Sequence, residues 1–486
     1  MIFFSKGGLR MISAIDIIVC IAYFAIVIGV GIFAFRKAKS KEDFLVAGRS
    51  LPLPMFTAAM AAVVIGGGCT IGGTTLAYES GIGGIWVGGM YAISIFLLAW
   101  LLRTKMSNMR ILSTNEGVGI FYGPYARAVS ALIMLIYLFM IAVLNVVSIG
   151  TVLSIMTGLS TTASMIIGGC IIVAYITIGG MWAVAFTDII QFIVMTIGVI
   201  LILPILGLIH VGGFSGLEAS LPAKSFDLTA IGNSRIVAYI FLLVPGFLVG
   251  QDIWQKAFTA KSPQVAKKGT LLASGYIFIY AIATVIIGMC IAAAVPNLEN
   301  TNLAFATAAT TFCPGGVKGL VLAAALASIM STANGGIIGS ATVIFNDMIA
   351  IKKPELDGKA AIKTTRILIV IVSICAVTCA IFIQSVLVAL DVAYAYLSGC
   401  VFVPLVLAFL LKKVSAKAGL VSLVASFLTV TILFFVFGIT STYPIIVGMI
   451  VSIVCFFAVN ALDKKGKHSV DFDENGNVFI DDQIRQ

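Results

Sequence analysis

Apolar residues in this chain come in long blocks separated by short polar breaks, at about 14 to 35, 53 to 78, 85 to 102, 128 to 156, 163 to 180, 188 to 210, 236 to 250, 270 to 295, 319 to 345, 367 to 384, 386 to 411, 419 to 438 and 444 to 462. Many hold about twenty residues or more, and at 1.5 Å per residue such a helix crosses a hydrocarbon layer of about 30 Å. The pattern predicts an all-α membrane protein with about thirteen transmembrane helices. It divides the chain into an N-terminal segment 1–13, a helical body 14–462 and a polar tail 463–486 expected to be flexible. No connection is long enough for a globular domain, which excludes an appended kinase or ATPase. The first block is too long for a signal-peptide core and runs into Phe35-Arg36-Lys37 with no small-residue cleavage site, so it is read as a retained span.

Composition agrees. Of 486 residues, 60% are apolar or aromatic and only 10% are charged, against about a quarter charged in soluble domains. The net charge of +10 would suit a nucleic-acid partner, but its distribution says otherwise. With the N-terminus outside and the C-terminus cytoplasmic, the inner connections and tail hold 25 of the 30 Lys and Arg. That asymmetry is the positive-inside signature of a cell-membrane protein. The five outside are Lys6, Arg10, Lys224, Arg235 and Lys318, and a start at Met11 would remove the first two. The nine cysteines lie almost entirely within apolar blocks and the two histidines, His210 and His468, lie far apart, so neither a disulfide framework nor a metal centre is indicated. Neither paired carboxylates nor a His/Cys cluster appears in any block, which argues against a membrane enzyme and leaves no catalytic or cofactor-binding residues to name.

Two blocks are interrupted near their middle. The second carries Gly66-Gly67-Gly68 and then Gly72-Gly73; the seventh carries Val244-Pro245-Gly246 and then Gly250-Gln251-Asp252. Freed backbone groups in hydrocarbon cost several kcal/mol unless they line a cavity or bind something. The interruptions are five blocks apart, the spacing expected if inverted five-helix repeats over about 53–210 and 236–411 enclose a site near the midplane. The ninth block adds Ser328-Ile329-Met330-Ser331-Thr332, hydroxyls in an otherwise apolar helix. Such oxygens, with unwound carbonyls, suit a desolvated sodium ion, although membrane hydroxyls also bond back to their own helix. Asp188, Asp391 and Asp16 are the acids within blocks, and an intramembrane acid is a functional candidate by default.

The stretch from Gly179 through Thr187-Asp188-Ile-Ile-Gln191 resembles the signature of the sodium:solute symporter family. Three further segments are similar to that family's motifs in the same order: Phe44 to Arg49, Gln251 to Lys261 and Ala327 to Ala333. The resemblance implies a LeuT-type fold with a flanking first helix and two extra C-terminal helices, and import of a small organic solute together with Na+ as coupling ion. It implies a sodium site from the carbonyls of Ala62, Ile65 and Ser328 and the hydroxyls of Ser331 and Thr332, with Asp188 on the ion's inward exit path. The solute is expected near Gly67, Tyr91, Phe247, Gln251 and Tyr394. The triple glycine is nearest the choline-type branch, yet Val64 and Gly250, where that branch's aromatic cage is expected, are not aromatic. Proton-coupled symport and an uncoupled substrate sensor are the alternatives.

Overall fold

Helix starts are marked by serines whose hydroxyls accept an N–H of the first turn: Ser160, Ser262, Ser385 and Ser415. Proline opens the helices that begin at Pro124 and Pro263, where no N–H is needed. The computed structural model describes residues 12–35, 41–102, 111–353, 356, 358–439, 441, 443–464, 466–472 and 478–480.

The architecture is helical. Helix α1 is Ala14–Phe35, α2 Leu53–Val64, α3 Gly73–Ser80, α4 Ile85–Leu101, α5 Thr114–Tyr122, α6 Pro124–Thr157 and α7 Thr161–Met195. There follow α8 Leu203–Val211, α9 Asn233–Val249, α10 Gln251–Ala257, α11 Pro263–Ala294, α12 Ala304–Phe312 and α13 Val317–Thr342. The last are α14 Gly358–Ile383, α15 Val386–Tyr396, α16 Phe402–Leu410, α17 Ala416–Phe437 and α18 Tyr443–Leu462.

Among the described residues ten helices are long and apolar enough to cross a membrane, and the bent pair α9–α10 makes eleven. The expectation of thirteen is therefore not reproduced by length and composition. The other two candidates, 53 to 78 and 163 to 180, coincide with shorter apolar helices, Leu53–Val64 and Thr161–Ala174.

Exposed side chains on the peripheral helices are apolar, Ile18, Ile371, Phe382, Ile432 and Phe435 among them, an outer surface suited to lipid. At the centre lies α13, buried along nearly its whole length and packed against α6, α7 and α1. Asp16 fastens α1 to the start of α13, its carboxylate accepting the N–H groups of Gly316 and Gly319 at 2.7 and 2.8 Å. This intramembrane acid is thus used as a structural clamp.

Within the tail, expected to be flexible, the described residues form short strand pairs. Lys467–His468 pairs antiparallel with Val414–Ser415, and Val470–Phe472 pairs with Val478–Ile480. The Ser415 hydroxyl also donates to Asp463 at 2.6 Å, so the chain after α18 is tied back to the start of α17.

Candidate functional site

The second crossing is broken where the glycines predicted. Helix α2 ends at Val64, Ile65 takes φ −84° and ψ 88°, and a wide turn over Gly68–Gly72 leads into α3. In an unbroken helix the Gly67 N–H would bond to the Val63 carbonyl. Instead, Gly67 N–H donates to Asn145 Oδ1 of α6 at 3.1 Å, and the Val63 carbonyl accepts the Thr332 hydroxyl of α13 at 2.9 Å. Gly66 N–H turns to the Val64 carbonyl at 3.1 Å, so the Ala62 carbonyl loses its helical donor. Two side chains from other helices thus satisfy the broken rung, as a low-dielectric interior demands.

Each member of the glycine triplet admits a different neighbour. A Cβ would lie 2.4 Å from Thr332 Oγ1 at Gly66, 2.0 Å from Ser148 Oγ at Gly67 and 2.6 Å from the Tyr91 hydroxyl at Gly68. Any side chain here would expel a polar group from the break.

The seventh crossing bends by 43° between α9 and α10. The hinge is Gly250, in extended conformation at φ −61° and ψ 131°, while Pro245 sits inside α9 without ending it. Polar side chains again cover the carbonyls: Ser94 donates to Val244 at 2.7 Å, Trp254 Nε1 to Leu248 at 2.8 Å, and Ser398 to Leu242. Short α10 packs on α2, and the segments flanking them pair at Leu51 and Ala260.

Beneath these breaks lies a polar cluster from three helices. The Lys256 ammonium of α10 pairs with Asp188 of α7, both buried, and Ser331 of α13 donates to the other Asp188 oxygen at 2.6 Å. A buried ion pair is retained only when its remaining valences are satisfied, and here the serine supplies one. Lys256, counted from the sequence among the charges of a connection, is inside the bundle. Ser328 donates to Ala325 at 2.8 Å and lies 2.9 Å from the Thr70 hydroxyl, which also meets Tyr280.

Next to the break, Val63, Val64, Gly66, Gly68, Tyr91, Phe247, Asp252, Thr332 and Tyr394 line a small cavity. It leaves about 10 Å³ open to water centres, room for about one water molecule. Phe247 packs between Tyr91 and Tyr394, with ring centroids 4.1 and 4.7 Å away. Of the solute residues expected from sequence, Tyr91, Phe247 and Tyr394 therefore come together.

Gly67 faces Asn145 and Ser148. Gln251 is turned elsewhere: its Oε1 accepts the Thr114 N–H at 2.7 Å and its Nε2 donates to the Leu112 carbonyl at 3.1 Å. The neighbouring Asp252 faces the cavity and was not among the residues singled out, although an acid two places after an interrupting glycine was the available signal. Tyr137 and Asn145, on the long apolar α6, had no local pattern to mark them. Asp391 is half-buried, with one carboxylate oxygen lacking a hydrogen-bond partner. In the wide turn Val343–Ile349 that follows α13, Asp347 accepts from Ser113 at 2.8 Å, Asn115 at 3.1 Å and Arg127 at 2.7 Å, latching the starts of α5 and α6 to the chain after α13.

Broken crossings packed around a buried central helix give a helical fold of LeuT type. The fold matches a Na+-coupled sialic acid symporter solved in a substrate-bound outward-open state, with a TM-score of 0.79 at 18% identity over 93% of this chain and 98% of that one. It also matches MhsT in complex with L-phenylalanine, with a TM-score of 0.57 at 13% identity over 84% of this chain and 99% of that one.

Residues 44–426 match the model of the sodium:solute symporter family, and the chain belongs to that family. It is a multi-pass membrane transporter and not an enzyme. The sodium/proline symporter of Staphylococcus aureus is 26% identical over 493 aligned residues, 93% of this chain and 94% of that protein. The high-affinity choline transporter 1 of Drosophila melanogaster is 25% identical over 401 residues, 77% of this chain; the match spans 64% of that relative's length.

Proposed function

We propose that this protein is a sodium-coupled symporter that imports a small organic solute by alternating access. The observation that carries the reading is the break of the second crossing against α13. The Ala62 carbonyl has lost its helical donor, and Thr332 stands against that break, next to Ser331 on the buried α13. The Na+ ligands are then the carbonyls of Ala62, Ile65 and Ser328 and the hydroxyls of Ser331 and Thr332. Asp188, bonded to Ser331, receives the ion on its way inward. Sodium bridging α2 and α13 favours the outward-facing arrangement, and solute enters between the two breaks. Rocking of the repeats 53–210 and 236–411 releases both to the cytoplasm, with thirteen crossings, the N-terminus outside and the C-terminus inside. Each charge moved inward gains about 2.3 kcal/mol per 100 mV, so one or two ions suffice for accumulation. Relatives named for proline and choline support a small organic solute.

The test is purified protein in liposomes with a panel of labelled amino acids, organic acids, sugars and quaternary amines. Uptake driven by an inward sodium gradient is expected; uptake driven equally by a pH gradient without sodium would reject the coupling ion.

A further inference from the structure

Three buried acids surround the centre of the bundle, and their partners differ. Asp188 has Lys256 and Asp347 has Arg127. Asp252, only 2% exposed, accepts hydrogen bonds from the Tyr137 hydroxyl at 3.0 Å and from backbone N–H groups of the first turn of α10, all of them neutral donors, and no Lys or Arg among the described residues lies within ion-pair distance of it. Proximity along the chain does not explain this. Lys256 follows Asp252 by four residues on α10, the spacing that places two side chains on one helix face, yet its ammonium goes to Asp188. Asp252 is left facing the cavity, where a carboxylate away from water is costly unless a cation meets it.

Part of the remaining wall is aliphatic, from Ile141, Leu144 and Leu390, and its aromatic part suits one kind of cation. Tyr91, Phe247 and Tyr394 line the same cavity, and Tyr137 stands against Tyr394 with centroids 5.2 Å apart. Ring faces attract alkylated or protonated nitrogen, most strongly when water is excluded. These rings come from α4, α6, α9 and α15, positions other than Val64 and Gly250, so the missing aromatics at the latter two leave a cage available. The packed rings leave little free space in the cavity, and Phe247 must part from Tyr91 or Tyr394 to admit a solute.

We propose that the transported solute carries a positively charged nitrogen, held between the Asp252 carboxylate and the faces of Tyr91, Phe247 and Tyr394. This rests on the transporter reading of the same cavity. Thr332 lines that cavity while its neighbour Ser331 holds Asp188, so the sodium site and the nitrogen site meet at Thr332 of α13.

The experiment follows labelled Na+ uptake and solute binding in the full-length protein reconstituted in liposomes. The probes are choline, its uncharged isostere 3,3-dimethylbutanol, proline, glycine betaine, lactate and glucose. One or more of choline, proline and betaine is expected to bind and to stimulate Na+ uptake, with 3,3-dimethylbutanol, lactate and glucose inert; which of the three acts separates a free cation from a zwitterion. Asp252→Asn is expected to weaken the active solute by about a hundredfold with an unchanged sodium requirement. Phe247→Leu should weaken it less. Binding of glucose, lactate or the isostere as tightly as the charged probes, or of no probe, overturns the proposal on the wild-type protein alone. So does an Asp252→Asn variant whose sodium requirement rises while solute affinity stays. Choline, proline or betaine binding and entering without any sodium dependence would instead keep the nitrogen site and remove the coupling.

Discussion

Asp188 and Asp252 are two acids in one core with opposite circumstances. Asp188 is closed on itself, with Lys256 on one oxygen and Ser331 on the other. Asp252 has a phenol, backbone N–H groups of its own helix start and a cavity, with no cation. The first arrangement ties three helices together through a cation supplied by the chain itself, and the second has no such cation. The contrast teaches that burial alone does not tell what a charge still lacks. The kind of partner does: Asp188 is matched by a buried cation, while Asp252 has neutral donors only.

Substitutions sharpen this contrast. The largest effect is expected from Asp188→Ala, which leaves the Lys256 ammonium buried without its anion; such losses cost about 3–5 kcal/mol. The detergent-solubilised variant should melt far earlier than wild type, and the double change Asp188→Asn with Lys256→Met should recover most of the loss. A single variant of normal stability would show that the pair does not hold the bundle.

Next comes the joint change Ser331→Ala and Thr332→Ala. The sodium concentration for half-maximal uptake should rise about a hundredfold, the loss of ~2.7 kcal/mol of ion binding, with surface expression normal. An unmoved sodium curve would remove these hydroxyls from the ion's ligands.

Gly66→Ala should follow, since its Cβ would press on the Thr332 hydroxyl and overpacking costs about 1–3 kcal/mol. Its signature is weaker sodium dependence together with lower thermal stability. The control is Gly29→Ala on α1, where a Cβ meets nothing within 4 Å. It should lie within about 0.5 kcal/mol of wild type, and a larger shift would mean that glycine content rather than close approach governs these helices.

Much of this was readable along the chain because the relevant signals are local. Gly66-Gly67-Gly68 announced the first break, and the structure interrupts the backbone at Ile65. For the seventh crossing the sequence offered two places, and Gly250 rather than Pro245 takes the bend. Proline within a helix is tolerated where its unbonded neighbourhood is covered, and Ser94 and Ser398 reach carbonyls beside it.

Gln251 and Asp252 show where local reading stops. Both follow the hinge and both are polar, and only their contacts separate them: Gln251 closes on Leu112 and Thr114 while Asp252 faces the rings. Asn145 likewise looked like any polar residue in an apolar helix until the Gly67 amide met it.

Hydropathy, charge asymmetry and the glycine interruptions determined a helical membrane body, its expected orientation and the place where its backbone opens. Those properties follow from transfer free energies and backbone geometry, which act residue by residue. The choice of Asp188 over Asp252 as partner for Lys256, and the gathering of Tyr91, Tyr137, Phe247 and Tyr394 around the remaining carboxylate, belong to the tertiary structure. These residues lie on different helices scattered along the chain, and only packing decides which of them meet.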